Sequence, residues 1–450
     1  MLAVLAVGAA LALPGGARVV LAQSRMSTPP AASTATPAAL GFVRALDRGD
    51  WSAAAKRVSP AVANGAMSAE RLQQIWAQLT GSLGALRAIG DAAESTEGAR
   101  RVVDLPARFD RSEVTLRVVL DSARQVAGFW VAPPRPPEYV TPPYVDTTAF
   151  REVELQVGRA PQLPAVLTLP KSATAASRAP VVVLVHGSGP SDRDERVGAN
   201  RPFRDLAWGL ASRGVAVLRY DKRTFAHPTG GVATIDAEVV DDAVLGIDAA
   251  RGATGVDPAR VVVLGHSLGG TFAPAIARRS GRVAALVLLA PGGRPLAEAA
   301  LGQLDYLASL PPDASRPAAA LDAARTQLKA IAARTLPPTT TVLGAPASYW
   351  YDAAVARPLD VLRATTLPTL ALFGGRDYQV TAADEALVRE ALAGNRAARV
   401  TRHATLSHLF AEGPGMATPE EYLTRTGHVA PVVIDEIARF VLSAPPATAK

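Results

Sequence analysis

The sequence predicts an α/β chain in which a mostly parallel sheet, covered by helices on both faces and carrying a helical insertion, follows a small α+β domain. Three observations predict it. From about residue 147 onward, apolar runs such as "PVVVLVHG" (180–187) and "VVVLGH" (261–266) alternate with helix-period stretches. Unbroken apolar strands belong to sheets buried on both faces, and strand–helix alternation makes them parallel. Before residue 132 the order is different: a helical stretch comes first, then three runs of alternating apolar and polar residues. Between the two regions lies "APPRPPEYVTPPYVD" (132–146), a semi-rigid, proline-rich connector.

The elements follow in chain order. "LAVLAVGAALAL" (2–13) is an apolar run of signal-peptide length, broken by Pro14-Gly15-Gly16, with a cleavage position after Ala22. The run is short for a membrane span, which needs about 20 apolar residues. A signal peptide over 1–22 and a secreted or periplasmic protein are expected, with no stable membrane span. No Lys or Arg precedes the run, so a retained anchor and a start at Met26 stay open. Ser, Thr, Pro and Ala dominate 23–39, the composition of a flexible linker. In the small domain, 40–131, "FVRALDRGDWSAAAKRV" opens a helical pattern reaching Ile89. Strands are expected at "RVVDLPARF", "EVTLRVVL" and "QVAGFWVA". No catalytic constellation stands in this domain; its expected role is structural, or binding of a partner that the sequence does not identify.

In the second domain, 147–442, "REVELQV" and "PAVLTLP" read as a hairpin. Helix "FRDLAWGLASRG" and strand "VAVLRYD" follow. Next come a helix over 236–251, a strand at 261–265, a helix over 268–280 and strand "VAALVLLA". About seventy Ala-rich residues, 294–362, then interrupt the alternation as a candidate cap. "TLALFGG", a helix near 381–393, "ARVTRH" and a helix over 430–442 complete the domain, and a loose tail is expected over 443–450.

Composition excludes several function classes. The net charge of +7 is spread over 450 residues without a dense Lys/Arg block, so nucleic-acid binding is not expected. There is no cysteine, which rules out disulfides, thiolate metal sites and a cysteine nucleophile. No metal-ligand cluster, phosphate loop or dinucleotide fingerprint is present, and no cofactor or metal is expected.

The chemistry concentrates at "GHSLGG" (265–270). In a strand–Gly-x-Ser-x-Gly–helix turn the serine takes strained backbone angles and its hydroxyl stands clear beside a helix start. Ser267 has that context. Serine needs a base, and the base needs an orienting acid. Of six histidines, His408 in "ATLSHLFAEG" follows the last strand, on the sheet edge where Ser267 emerges. His428 is the reserve. Asp377 in "LALFGGRDYQV" follows the preceding strand and is the acid. Taken singly, Asp377 also fits a turn and His408 a surface loop; in the order Ser267, Asp377, His408, each after a strand, they point to one site. The backbone N–H of Leu268 and that of Ser188, in "HGSGP" (186–190), are candidate oxyanion donors. Trp350 and Tyr351, beside Tyr349 in the insertion, are candidates for lining a substrate pocket, with packing inside the cap as the equal alternative. Asp192, Arg193, Asp194, Asp221, Lys222 and Arg223 read mainly as ion pairs bracing loops.

"HGSGPSDRDE", "LRYDKRT", "GHSLGG", "GGRDYQV" and "SHLF" together resemble the α/β-hydrolase superfamily over about 150–442. The likeness is to exported bacterial esterases and serine aminopeptidase-like members. It implies ester hydrolysis through an acyl-enzyme, with Ser267, Asp377 and His408 as triad. "FVRALDRGDW" and the aromatic-rich strand near 130 resemble a small domain of unknown function, similar in outline to nuclear transport factor two. Three readings stay open: an esterase on small or medium acyl esters, a peptidase or amidase with the same triad, and an inactive-hydrolase binding or sensor protein of the envelope. The lack of a propeller-sized N-terminal region weighs toward the esterase.

Overall fold

The computed structural model describes residues 35–447 apart from 64, 98–99, 133–137, 229–231, 233 and 312–316. The expected signal peptide and its cleavage position lie outside the described residues. The described chain divides into two compact units, each with its own apolar core.

In the first unit, α1 (Ala35–Asp47), α2 (Trp51–Ala55), α3 (Pro60–Ala63) and α4 (Ala69–Leu83) precede an antiparallel sheet. Its strands are β1 (Leu86–Ile89), β2 (Ala93–Glu97), β3 (Arg100–Phe109), β4 (Glu113–Leu120) and β5 (Val126–Ala132). They lie in the order β1-β3-β4-β5, with β2 also paired to β3. Two expectations are corrected here. The first helix starts at Ala35, inside the stretch expected to be linker. The helical pattern expected to reach Ile89 stops at Leu83, because Gly84 takes φ 85° and returns its N–H to Thr80 O. Only glycine adopts that backbone freely, and the chain beyond it pairs as β1. Phe42, Leu46, Leu72 and Trp76 pack against Val103, Leu105, Leu116 and Val118 to form the core. Residues of β3 alternate between this core and the outside over most of the strand.

In the second unit, the first strands are β6 (Phe150–Val157), β7 (Leu163–Pro170) and β8 (Ala179–Val185). Next come α5 (Pro202–Ala211), β9 (Ala216–Tyr220) and α6 (Arg223–Ala226). A π-helical turn, Asp236–Val240, runs into α7 (Asp241–Arg251), then β10 (Val256–His266), α8 (Leu268–Ser280) and β11 (Ala285–Leu289). The insertion holds α9 (Leu296–Ser309), α10 (Ala318–Ala332), a small hairpin of β12 (Thr341–Val342) and β13 (Ala345–Pro346), α11 (Ala347–Val355) and α12 (Pro358–Arg363). The chain returns through β14 (Thr369–Gly374), α13 (Ala382–Leu392), β15 (Ala398–His403), a short α14 (Pro419–Thr424) and α15 (Pro431–Ser443).

The eight-stranded sheet runs β15-β14-β11-β10-β8-β9-β7-β6. All neighbours from β15 to β9 are parallel, and β7 and β6 join antiparallel at one edge. Every residue of β8, β9, β11 and β14 is buried, as continuous apolar strands require. The one charged side chain among those strands, Arg219, is held by Asp194 and Glu152. Strand order reverses direction between β8 and β10, so the loops after β8 and β10 open onto one sheet edge, where such folds place their ligands. The tail expected to be loose is anchored as far as described: Ala444 is buried and Ala447 N–H donates to Ala259 O at 2.7 Å. The described part of the proline-rich connector is also pinned, through Tyr139 on Asp205 and Tyr144 on Val429 O.

The turn between β10 and α8 has no room for added atoms. A Cβ on Gly269 would lie 2.3 Å from Val185 O and 2.6 Å from His186 O, both backbone of the neighbouring strand and its loop. Gly269→Ala is therefore expected to cost about 3 kcal/mol, the upper range for overpacking. Gly394→Ala, whose Cβ meets open space, should stay within about 0.5 kcal/mol. Urea unfolding of the two variants checks this, and equal midpoints would refute the packing argument.

Candidate active site

Ser267 sits between β10 and α8 with φ 52° and ψ −117°. For a residue with a side chain this is strained backbone. The turn is kept by its surroundings: Ser267 N–H donates to Leu289 O at 2.8 Å, and Thr271 N–H donates to Ser267 O at 2.9 Å. Leu268 opens α8, so its N–H has no acceptor within the helix. The Ser267 hydroxyl makes no hydrogen bond among the described residues. In unliganded sites a serine–imidazole bond is often long and closes with substrate.

Asp377 follows β14 and His408 follows β15. Their side chains meet at 2.6 Å, His408 Nδ1 to Asp377 Oδ2, and both are buried. The other carboxylate oxygen of Asp377 accepts the N–H groups of Gln379 at 2.7 Å and Val380 at 3.0 Å. These bonds orient the carboxylate, and the carboxylate sets the imidazole tautomer with its proton on Nδ1. The remaining histidines are occupied elsewhere. His428, the reserve base, faces Asp205 at 3.3 Å. His403 pairs with Glu436, His227 with Gln162 O and His186 with Asp192 O.

His266 is not in the pocket wall, as expected of the residue before Ser267 across a tight turn. It has a structural role that sequence reading missed. Its Nδ1 lies 2.9 Å from Glu195 Oε2 in a buried ion pair, off the line of a good hydrogen bond. Its Nε2 donates to His408 O at 3.0 Å. Burial alone would lower its pKa, but the Glu195 carboxylate and the His408 carbonyl raise it above the ordinary value. Glu195, itself at φ 50°, also accepts the Gly187 N–H at 2.6 Å. Lys222 Nζ donates to the Gly187 carbonyl at 2.7 Å and pairs with Glu238 at 3.1 Å. Glu238 in turn accepts the Tyr349 hydroxyl at 2.5 Å. Gly187 is thus held through both its N–H and its carbonyl by buried charges. Its N–H is taken by Glu195, and the next residue, Ser188, lies in the wall of the pocket that also holds Ser267.

A cavity of about 290 Å³ adjoins this turn, with Ser188, Ser267 and Leu268 in its wall. The insertion supplies the far wall, through Leu296, Ala299, Gln303, Ala353 and Leu359. Trp350 and Tyr351 are not in it. The indole N–H of Trp350 donates to Val342 O at 3.2 Å, and the Tyr351 hydroxyl donates to Leu336 O at 2.9 Å. Buried aromatic polar atoms need partners, and these two find them in the insertion's own backbone, so they pack the cap. The charged loop residues do brace: Arg193 grips Asp221 at 2.9 and 3.0 Å, Arg223 holds Asp242, and Asp194 takes Arg219 and Arg204. Among the described residues no cluster could hold a metal ion, and no helix is long and apolar enough to cross a membrane.

The sequence profile of the alpha/beta hydrolase family matches residues 182–438. The chain belongs to that family. In this hydrolase, residues 39–129 match a family of unknown function, DUF3887. Esterase EstD of Thermotoga maritima is 38% identical over 377 residues, 84% of this chain and 88% of its own. Among solved structures, Est1E from Butyrivibrio proteoclasticus aligns at 18% identity and TM-score 0.43, over 64% of this hydrolase and 97% of its own chain. A putative dipeptidyl aminopeptidase IV from Bacteroides ovatus aligns at 13% identity and TM-score 0.46, over 79% of this hydrolase and 43% of its own chain.

Two buried histidines give opposite pH signatures. Burial holds His186 down to about 4, with Glu195 opposing. An unfolded histidine titrates near 6.5, so below that pH the unfolded chain binds a proton that native His186 refuses, and stability falls toward pH 4. His266 is raised instead; its contribution is complete below about 6.5 and fades as pH rises through its folded value. Glu195→Gln should flatten the alkaline loss of the urea midpoint, while the acid loss from His186 should persist and deepen, because the carboxylate that opposes its lowering is gone. Glu195→Leu, which strands both His266 and the Gly187 N–H, should cost about 3–5 kcal/mol at neutral pH. An unchanged midpoint in Glu195→Leu would show that the clamp carries no stability.

Proposed function

We propose that this protein is a carboxylesterase-type serine hydrolase acting through an acyl-enzyme, with Ser267 as nucleophile, His408 as general base and acid, and Asp377 as the orienting carboxylate. The observation that carries the reading is the buried 2.6 Å contact of His408 Nδ1 with Asp377 Oδ2, on the sheet edge that also holds a strained serine at the wall of a cavity. The similarity to Esterase EstD supports the ester as substrate class.

Each step has its residue. Ser267 Oγ attacks the ester carbonyl as its proton passes to His408 Nε2, and Asp377 stabilises the imidazolium that forms. The carbonyl oxygen becomes an anion and accepts the N–H groups of Ser188 and Leu268; the start of α8 adds its dipole. Collapse releases the alcohol with the proton from His408. Water, deprotonated by His408, then attacks the acyl-enzyme, and the acid leaves with Ser267 restored. The cavity accommodates one medium-sized substituent of the substrate.

Hydrolysis of 4-nitrophenyl esters from acetate to octanoate is the test, beside aminoacyl anilides. Ser267→Ala should lose at least ~10³-fold in kcat, and Asp377→Asn roughly 10³–10⁴-fold, because the amide stabilises the wrong tautomer. Full activity in Ser267→Ala would sink the reading. Faster turnover of the anilides than of any ester would make the enzyme a peptidase.

A further inference from the structure

We propose that the cavity beside Ser267 takes the acyl half of the ester and reads a hydrogen-bonding group on it through Gln303 and Gln379, so that the preferred acyl groups are medium-sized, uncharged and hydroxylated or otherwise polar at one position along their length. The proposal rests on the ester-hydrolase reading above.

The assignment to the acyl half follows from the walls. The leaving alcohol must lie against His408, which hands it a proton. The cavity wall holds Ser267, Ser188 and Leu268 but not His408. A group that fills it is therefore attached to the carbonyl on the side away from the leaving group. At about 30 Å³ for each water-sized group, its volume of about 290 Å³ holds on the order of ten such groups.

Most of the lining is apolar, from Phe272, Leu296, Ala299, Ala353, Leu359 and Val380. Two glutamines interrupt it. Gln303, on α9, is 8% exposed, and Gln379, two residues beyond Asp377, is 5% exposed. Gln303 Nε2 donates to Gln379 O at 3.4 Å, which leaves Gln303 Oε1 buried with no partner. Gln379 donates its backbone N–H to Asp377, and its side-chain amide makes no hydrogen bond among the described residues. Buried amides without partners are rare in folded proteins, because each forfeits its hydration. Gln303 Oε1 is such a group, and with the unbonded Gln379 amide on the wall of the same cavity it gives a complementary surface for a ligand that both donates and accepts, which a hydroxyl does.

Charge recognition does not compete. The charged groups of the wall neutralise each other: Arg294 forks onto Asp384 at 2.7 and 3.1 Å, and Arg357 pairs with Asp360 at 2.6 Å. No unpaired cation among them waits for a carboxylate, and no unpaired carboxylate waits for an amine. A site built to bond a hydroxyl rejects the analogue that lacks it far more strongly than an apolar pocket rejects an extra methylene.

The test compares 4-nitrophenyl octanoate with its 3-, 6- and 7-hydroxy counterparts. Wild-type enzyme should favour at least one hydroxy ester over octanoate by about tenfold or more in kcat/KM. In Gln303→Leu and Gln303→Met that ratio should fall at least tenfold. Both substrates are read on the same preparation, so the ratio does not depend on the folded fraction. Octanoate turned over as fast as, or faster than, every hydroxy ester by wild type overturns the proposal and leaves the esterase standing. An unchanged ratio in both Gln303 variants overturns it as well. No ester turnover, with no labelling of Ser267 by a fluorophosphonate, overturns the ester-hydrolase reading itself.

Discussion

The structure depends on one steric constraint: the backbone of α8 must approach the ends of β8 and β10 closely enough to leave no space for a Cβ. A Cβ on Gly265 would sit 2.2 Å from Gly269 O, and one on Gly269 would sit 2.3 Å from Val185 O. This approach forces the chain to reverse within one residue, and Ser267 is that residue, at φ 52°. The strain is local; the hydrogen bonds from Ser267 to Leu289 O and from Thr271 back to Ser267 O hold it in place. Strain of this sort persists only where surrounding structure over-determines it, and here a fully buried parallel sheet does so.

Around that turn the protein has buried several charged side chains. Glu195, Lys222, Glu238, His266, Asp377 and His408 are all buried. Buried ion pairs add little net stability over apolar packing, but losing one partner is expensive. What they supply here is direction. Gly187 is held by Glu195 at its N–H and by Lys222 at its carbonyl, so the peptide group that joins it to Ser188 cannot rotate freely. From Lys222 the contacts continue through Glu238 to Tyr349 in the insertion. From Glu195 they continue through His266 to the carbonyl of His408. The insertion, the Gly187 loop, the Ser267 turn and the His408 loop therefore share one chain of buried polar contacts.

Legibility in the sequence followed how local the cause was. The serine turn was readable because its requirement, small residues on either side of a serine after an apolar strand, lies within six residues. Asp377 and His408 were readable because parallel strands all end on the same edge, so position after a strand fixes which side a loop occupies. The helix ending at Gly84 was misread since apolar spacing continued past it and only the φ of 85° shows the break. Trp350 and Tyr351 were named for the pocket on residue type; their polar atoms are instead satisfied by Val342 and Leu336 carbonyls. Gln303 and Gln379 carried no signal. A glutamine on an Ala-rich helix reads as solvated surface until the element that covers it is known.

By itself, the sequence determined the two-domain order, the parallel α/β sheet of the second domain and the three residues placed in order at its edge. It could do so because strand period, turn chemistry and chain order are local properties. Only the tertiary structure decided that Glu195 pairs with His266, that Lys222 and Glu238 join the Gly187 loop to the insertion, and which residues wall the cavity. Those partners are separated by tens to more than a hundred residues, as Glu238 and Tyr349 are, and nothing in their local sequence records which charge will be buried against which. Burial is a property of the packed layers, and it sets both the strength of each contact and the cost of leaving one unmade.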